Sequence, residues 1–313
     1  MTTPVASAAP LAPPATFGAG FWRLADPKIS LASMASIALG AAAAAHDGPL
    51  AWGWLALTVC GIFFMEVAKN ASGELFDFDS GADLAVAPED RSPFSGGKRV
   101  LVDGLLTRRQ TAGIAAVGYA LGASAGLVIA AAREPRVLWL GLAGMALAYF
   151  YHAPPFKLSY RGLGEAAVAL CYGPLICSGT YLVQRGRLPA EVVLLSLPLG
   201  VLVAAFLLIN EFPDAAADGG AGKRTLVVRL GRARAARLYA ALVAGAFLAL
   251  ALLPLVGLPP GVLLGLAAAP LGAAAARRLS REPAVTARIV RAQAWALACF
   301  VLVAAGAGLG LLL

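Results

Sequence analysis

Two groups of acidic side chains stand out in an otherwise oily chain. In the first, Asn70, Glu74 and Asp77 are spaced by four and three residues, with Asp79 and Asp83 following. In the second, Asn210, Asp214 and Asp218 are spaced by four and four. Such offsets place side chains on one helical face. Like charges that close repel one another unless a cation or a proton intervenes. Two carboxylate tracks facing each other would build an oxygen-lined cavity. That chemistry suits Mg²⁺, which binds a few carboxylates and substrate phosphates while keeping several waters. The residues proposed to hold metal are Glu74, Asp77, Asp83, Asp214 and Asp218.

Each track is followed by glycine and then a basic pair. These are Gly96-Gly97-Lys98-Arg99 after the first and Gly222-Lys223-Arg224 after the second. Glycine permits tight turns, and lysine or arginine can neutralise phosphate oxygens. Residues 219–225 are not a nucleotide phosphate loop, because Arg224 stands at the Ser/Thr position and no strand precedes it. A third polar segment, Tyr149 to Glu165, contains Pro154-Pro155, Lys157 and Arg161. Its prolines stop a helix, and Lys157 and Arg161 are candidates for a second phosphate or an acceptor carboxylate. The lone His152 reads as structural. Glu66 sits near a membrane boundary, where it either supports the site or pairs locally.

The elements that must position these residues are membrane helices. The chain has 313 residues, 60% hydrophobic and only 13% charged. Apolar stretches of about 20 residues recur along it, as a multi-span helical protein requires. The expected fold is all-α, with nine spans near 28–45, 50–68, 111–131, 137–151, 163–183, 190–210, 238–256, 260–276 and 292–312. Residues 1–20 carry no charge and read as a disordered arm, leaving 21–313 as one transmembrane domain. The formal net charge is +8, but the basic residues sit in short loops, which argues against nucleic acid and for anionic substrates or lipid headgroups. With the N-terminus inside, 21 of the 25 basic residues fall in the inner loops and arm. That asymmetry places the polar loops in the cytoplasm and the C-terminus outside, in a cell inner or plasma membrane. The four cysteines have no metal-ligand spacing, and no obligate protein partner is evident.

The second track continues into Ala221-Gly222-Lys223-Arg224-Thr225-Leu226 and Val228-Arg229-Leu230-Gly231. With Gly81-Ala82-Asp83 and Tyr160-Arg161-Gly162-Leu163-Gly164-Glu165, this pattern resembles the UbiA superfamily of intramembrane aromatic prenyltransferases. Within it, the pattern is similar to the 1,4-dihydroxy-2-naphthoate polyprenyltransferase branch. The resemblance implies nine helices around a central cavity and two aspartate motifs that bind a prenyl diphosphate through Mg²⁺. It also implies catalytic and metal-site roles for Asp77, Asp214 and Asp218, and substrate contacts from Asn70, Asn210, Lys223, Arg224, Lys157 and Arg161. Where the family carries Asn-Asp, this chain has Gly73-Glu74. The reaction implied is Mg²⁺-dependent prenyl transfer to an aromatic acceptor, such as the naphthoate of menaquinone biosynthesis. A benzoate, homogentisate, chlorin or lipid acceptor is the alternative. An ion-coupled transporter is the rival of another class, because intramembrane acids also mark ion pathways.

Overall fold

The computed structural model describes residues 16–313 and, among these, contains helices and no strand. A short amphipathic helix comes first, α1 (Phe17–Ala25), capped by the Thr16 hydroxyl, which accepts from the Ala19 amide. The arm expected over residues 1–20 is therefore helical from Phe17 onward, because Gly20 and Leu24 bury against the protein. The rest of that arm lies outside the described residues.

The long helices follow. They are α2 (Pro27–His46), α3 (Trp52–Ser80), α4 (Arg108–Ala132) and α5 (Val137–Phe150). The fifth span is α6 (Gly164–Leu170) running through a wider π turn at Cys171–Leu175 into α7 (Ile176–Arg185). Then come α8 (Ala190–Gly220), the single-turn α9 (Leu226–Leu230) and α10 (Arg232–Leu252). A 3₁₀ stretch, Pro260–Ala268, leads into α11 (Ala269–Arg281), and α12 (Thr286–Leu312) closes the chain.

Eight of these segments are long and apolar enough to cross a membrane; the ninth, α5, has 14 residues. At 1.5 Å per residue α5 is about 21 Å long. The chain is a multi-pass membrane protein of the expected fold class. The main difference from expectation lies in two helix lengths. The second span was expected to end near residue 68, but α3 continues to Ser80 and carries the whole first track. Likewise α8 continues past Asn210 to Gly220 and carries the second. Both helices therefore run beyond the apolar stretch that suffices to span, into the polar end of the bundle.

Small residues set the packing. A Cβ on Gly118 would stand 2.9 Å from the Phe64 carbonyl, so α4 lies directly on α3. Gly40 of α2 abuts the Cys177 carbonyl of α7, and Gly173 and Gly200 bring the π turn against α8. Close approach through glycine is how helices gain contact in lipid, where no hydrophobic drive separates side chain from solvent. α8 is the most buried span and packs on α2, α6, α7, α10 and α12. At the end away from the carboxylates, Trp52 and Trp139 are exposed, as interfacial tryptophans are. There, Arg185 binds the Ala44 and Gly48 carbonyls, Arg133 donates to the Val183 carbonyl at 2.9 Å, and Arg187 pairs with Asp47 at 2.7 Å.

Candidate active site

The extended ends of α3 and α8 face each other across a cavity of about 660 Å³. Asn70, Glu74, Asp77 and Asp83 line one side, and Asn210, Asp214 and Asp218 the other, with Lys223 between them. The chain from Gly81 to Thr107 folds back over the cavity, and α1 forms part of its wall through Trp22 and Arg23. The two tracks, 133 residues apart in sequence from Asp77 to the Asn210 position, thus meet at one site.

Lys223 joins the tracks. Its Nζ lies 3.2 Å from Asp77 Oδ2 and 3.5 Å from Asp218 Oδ1. Burial on its own would lower the affinity of this amine for its proton. The Asp77 and Asp218 carboxylates more than reverse that effect and hold it well above the ordinary lysine range. Asp77 also accepts a 2.7 Å hydrogen bond from Tyr160 Oη, which stands 2.8 Å from Ser80 Oγ. Asp83 is buried under the loop. Desolvation, reinforced by the Asp77 and Glu74 carboxylates, pushes its carboxyl up to about 8.

The glycine-rich loop is tied to the carboxylates. The Gly96 amide donates to Asp214 Oδ2 at 3.0 Å. Gly97 has a positive φ of 73°, and any Cβ there would collide with the Asp83 carboxylate. Lys98 pairs with Asp26, and Arg99 donates to the Asp83 carbonyl at 2.6 Å and pairs with Asp103 at 3.3 Å. Glu74 Oε1 accepts from the Leu101 amide at 3.0 Å, so this carboxylate anchors the loop as well as lining the cavity. Asn70 Nδ2 donates to the Leu24 carbonyl at 2.8 Å, which ties α1 to α3.

Three of the expected substrate residues stand apart from the cavity. Lys157, Arg161 and Arg224 do not line the cavity. Lys157 lies over the Tyr160 ring at 5.1 Å, and Arg161 Nη2 donates to the Pro155 carbonyl at 2.9 Å. The reason is the 3₁₀ turn Leu158–Arg161, flanked by Lys157 and Gly162 with positive φ, which turns Tyr160 toward Asp77 and Arg161 outward. Arg224 is exposed because its neighbours Lys223 and Thr225 both face inward, and Thr225 caps α9. Asp79, whose role was open, pairs with Arg108 on the surface.

Three residues not chosen from the sequence belong to the site. Tyr160 is one. His152 is another: it is buried, lines the cavity and presses its ring into the space over Gly73, where a Cβ would stand 2.6 Å from the imidazole. Its Nε2 lies 3.7 Å from Asp77 Oδ2, and burial pulls its pKa down to about 4, leaving it neutral at pH 7. Lys69 is the third, and its spacing carried a signal, since Lys69, Gly73 and Asp77 follow one another at offsets of four.

A second cavity, about 380 Å³, runs between α3, α4, α5 and α7, and its lining is almost wholly apolar. Lys69 and Tyr151 line both cavities and mark their junction. A polar route across the bundle, which a transporter needs, is not formed by such a lining.

No three acidic, histidine or cysteine side chains among the described residues converge closely enough to hold an ion unaided. The donor set nonetheless fits Mg²⁺. Asp214 Oδ1 and Asn210 Oδ1 are buried without a hydrogen-bond partner, and Mg²⁺ takes one or two carboxylates, with phosphate and water completing its shell.

The acidic helix ends of this membrane bundle thus meet beside an oily cavity. The chain belongs to the UbiA prenyltransferase family, whose model matches residues 33–295. It is 26% identical to the 1,4-dihydroxy-2-naphthoate octaprenyltransferase of Bacillus subtilis over 74% of this chain and 73% of that protein. It is 32% identical to the 1,4-dihydroxy-2-naphthoate octaprenyltransferase of Mycobacterium tuberculosis over 80% of this chain and 83% of that protein. The fold matches a UbiA homologue from Archaeoglobus fulgidus solved bound to GPP and Mg²⁺. The TM-score is 0.62 at 17% identity, covering 91% of this chain and 99% of that one. The protein is a prenyltransferase.

Proposed function

We propose that the enzyme transfers a prenyl group from a prenyl diphosphate to 1,4-dihydroxy-2-naphthoate, with Mg²⁺, in menaquinone biosynthesis. The observation that carries this reading is the meeting of the two acidic tracks in one cavity that adjoins an apolar one. The acceptor rests on the names of the relatives. The charge asymmetry of the loops supports a reading with the acidic end in the cytoplasm and the C-terminus outside, in the cell membrane, with lipid around the apolar helices.

Asp77, Asp83, Asp214 and Asp218 would hold the metal, with Asn210 adding a neutral oxygen. When bound, Mg²⁺ supplies positive charge that stabilises the leaving diphosphate. Lys223 stands between the tracks, placed to meet a diphosphate oxygen with its ammonium group. The apolar cavity takes the prenyl tail and keeps water from the allylic cation. In the reaction the C1–O bond breaks and its electron pair stays on diphosphate. The acceptor ring carbon that bears the carboxylate supplies the pair for the new C–C bond. The ring then regains aromaticity by losing its carboxylate as CO₂. Tyr160 holds Asp77 in place, and neutral His152 walls the same carboxylate.

The test is to reconstitute the protein with Mg²⁺, a panel of prenyl diphosphates and a panel of acceptors, and to look for product by mass spectrometry. Prenylated naphthoate-derived product is expected, and Asp77→Ala or Asp214→Ala should abolish it while the protein stays folded in the membrane. Full activity in both variants, or product only from another acceptor, overturns the reading.

A further inference from the structure

The junction of the two cavities holds charged groups to which the proposed diphosphate chemistry assigns no role. Lys69 lines both cavities, yet the lysine ion pairs of the described residues involve Lys28, Lys98 and Lys223, not Lys69. Its Nζ lies 5.5 Å from the centre of the Tyr151 ring. A ring face steadies an ammonium group without occupying its three N–H donors. One turn deeper on the same face of α3 is Glu66, only 8% exposed and lining the apolar cavity. Its Oε1 accepts from Tyr172 Oη at 3.1 Å, from within the π turn, while Oε2 has no hydrogen-bond partner. An acidic side chain at this depth of a membrane bundle is costly unless a ligand or partner uses it.

Position along α3 separates this pair from the diphosphate site. Lys69 is eight residues from Asp77 and Glu66 eleven, which is about 12 Å and about 16 Å along the helix axis. With the diphosphate at Asp77 and the tail in the apolar cavity, as proposed, the Lys69–Glu66 turn lies beside the carbon end of the donor. That is where an acceptor ring must stand to be attacked.

We infer that Lys69 and Glu66 form the acceptor recognition site, Lys69 binding a ring carboxylate and Glu66 accepting a hydrogen bond from a neighbouring ring hydroxyl. The inference rests on the proposed prenyl transfer and adds the residues that select the acceptor. It defines the acceptor class as an aromatic ring bearing a carboxylate beside a hydroxyl. Tyr151 is the positioning residue that presents Lys69.

Two measurements on the full-length protein test this. The first is equilibrium binding of 1,4-dihydroxy-2-naphthoate and of carboxylate-free 1,4-dihydroxynaphthalene, which needs no turnover. Wild type should prefer the carboxylate, and Lys69→Gln should lose about tenfold or more for it while binding the carboxylate-free ring unchanged. Lys69→Arg should restore most of the preference. Glu66→Gln should weaken both ligands alike, because both carry the hydroxyl. The second is the KM split: Lys69→Gln should raise KM for the naphthoate and leave KM for the prenyl diphosphate within about twofold. Equal naphthoate binding by wild type and Lys69→Gln overturns the inference, as does a rise in prenyl diphosphate KM as large as that for the acceptor. If Lys69→Gln proves unstable in a thermal melt, Lys69→Arg carries the test: loss of carboxylate preference there overturns the inference too. Absence of any prenylated product from wild type, with the binding preference intact, counts against the proposed reaction and not against this site.

Discussion

The two acidic tracks look alike in sequence and differ in what surrounds them. In the first track the carboxylates are already engaged: on α3, Asp77 by Lys223 and Tyr160 and Glu74 by the Leu101 amide, and just past α3, Asp83 beneath Gly97. On α8, Asp214 and Asn210 each keep an oxygen without a partner at the cavity. The first track is built into the loop that covers the site, whereas the second offers open ligand positions. One motif thus serves in two ways: the first track also anchors the covering loop, and the second keeps unpartnered oxygens at the cavity.

That contrast can be broken at several points. The largest effect is expected for Lys223→Met, which removes the one cation shared by both tracks. Leaving buried carboxylates without a partner costs about 3–5 kcal/mol, so both melting temperature and activity should fall steeply. A melt unchanged within a degree would show that the tracks do not depend on this residue. Next comes Asp214→Asn, which keeps the Gly96 contact but removes the charge of the open track; turnover should drop by about 10²–10³. Chelation of Mg²⁺ with EDTA should stop wild-type turnover completely and reversibly, as read by product formation before and after Mg²⁺ is restored. Gly97→Ala should be milder. A side chain in the left-handed region costs about 1–2 kcal/mol, and the added methyl group displaces Asp83. The expected outcome is a lower melting temperature with an increased Mg²⁺ requirement. The smallest effect belongs to Glu74→Gln, whose amide oxygen can still accept from Leu101. Turnover should fall by no more than about threefold, consistent with a loop anchor; a loss as large as that of Asp214→Asn would return Glu74 to the metal.

Much of this was legible in the sequence for a physical reason. Asn70, Glu74 and Asp77, and likewise Asn210, Asp214 and Asp218, are related by helical spacing, a local property that survives folding. The spans were legible because bilayer thickness imposes a length. What was not legible depends on contacts between distant segments. Tyr160 meets Asp77 only because a 3₁₀ turn redirects it, and nothing in its own neighbourhood signals this. Arg224 was chosen for its charge beside Lys223, yet the backbone sends one inward and the other to solvent. Gly73 read as a lost ligand, and its meaning lies on another helix end, in the His152 ring that occupies the space.

The brevity of α5 has a consequence of its own. Its roughly 21 Å falls short of a hydrocarbon layer about 30 Å thick. A span this short is met by local thinning of the bilayer or by snorkelling of its flanking residues, at a cost of fractions of a kcal/mol for each ångström of mismatch. α5 is also a wall of the apolar cavity, and its C-terminal end leads directly into Tyr151 and His152. Local thinning at this flank would bring the headgroup level toward the end of the apolar cavity that adjoins the charged one.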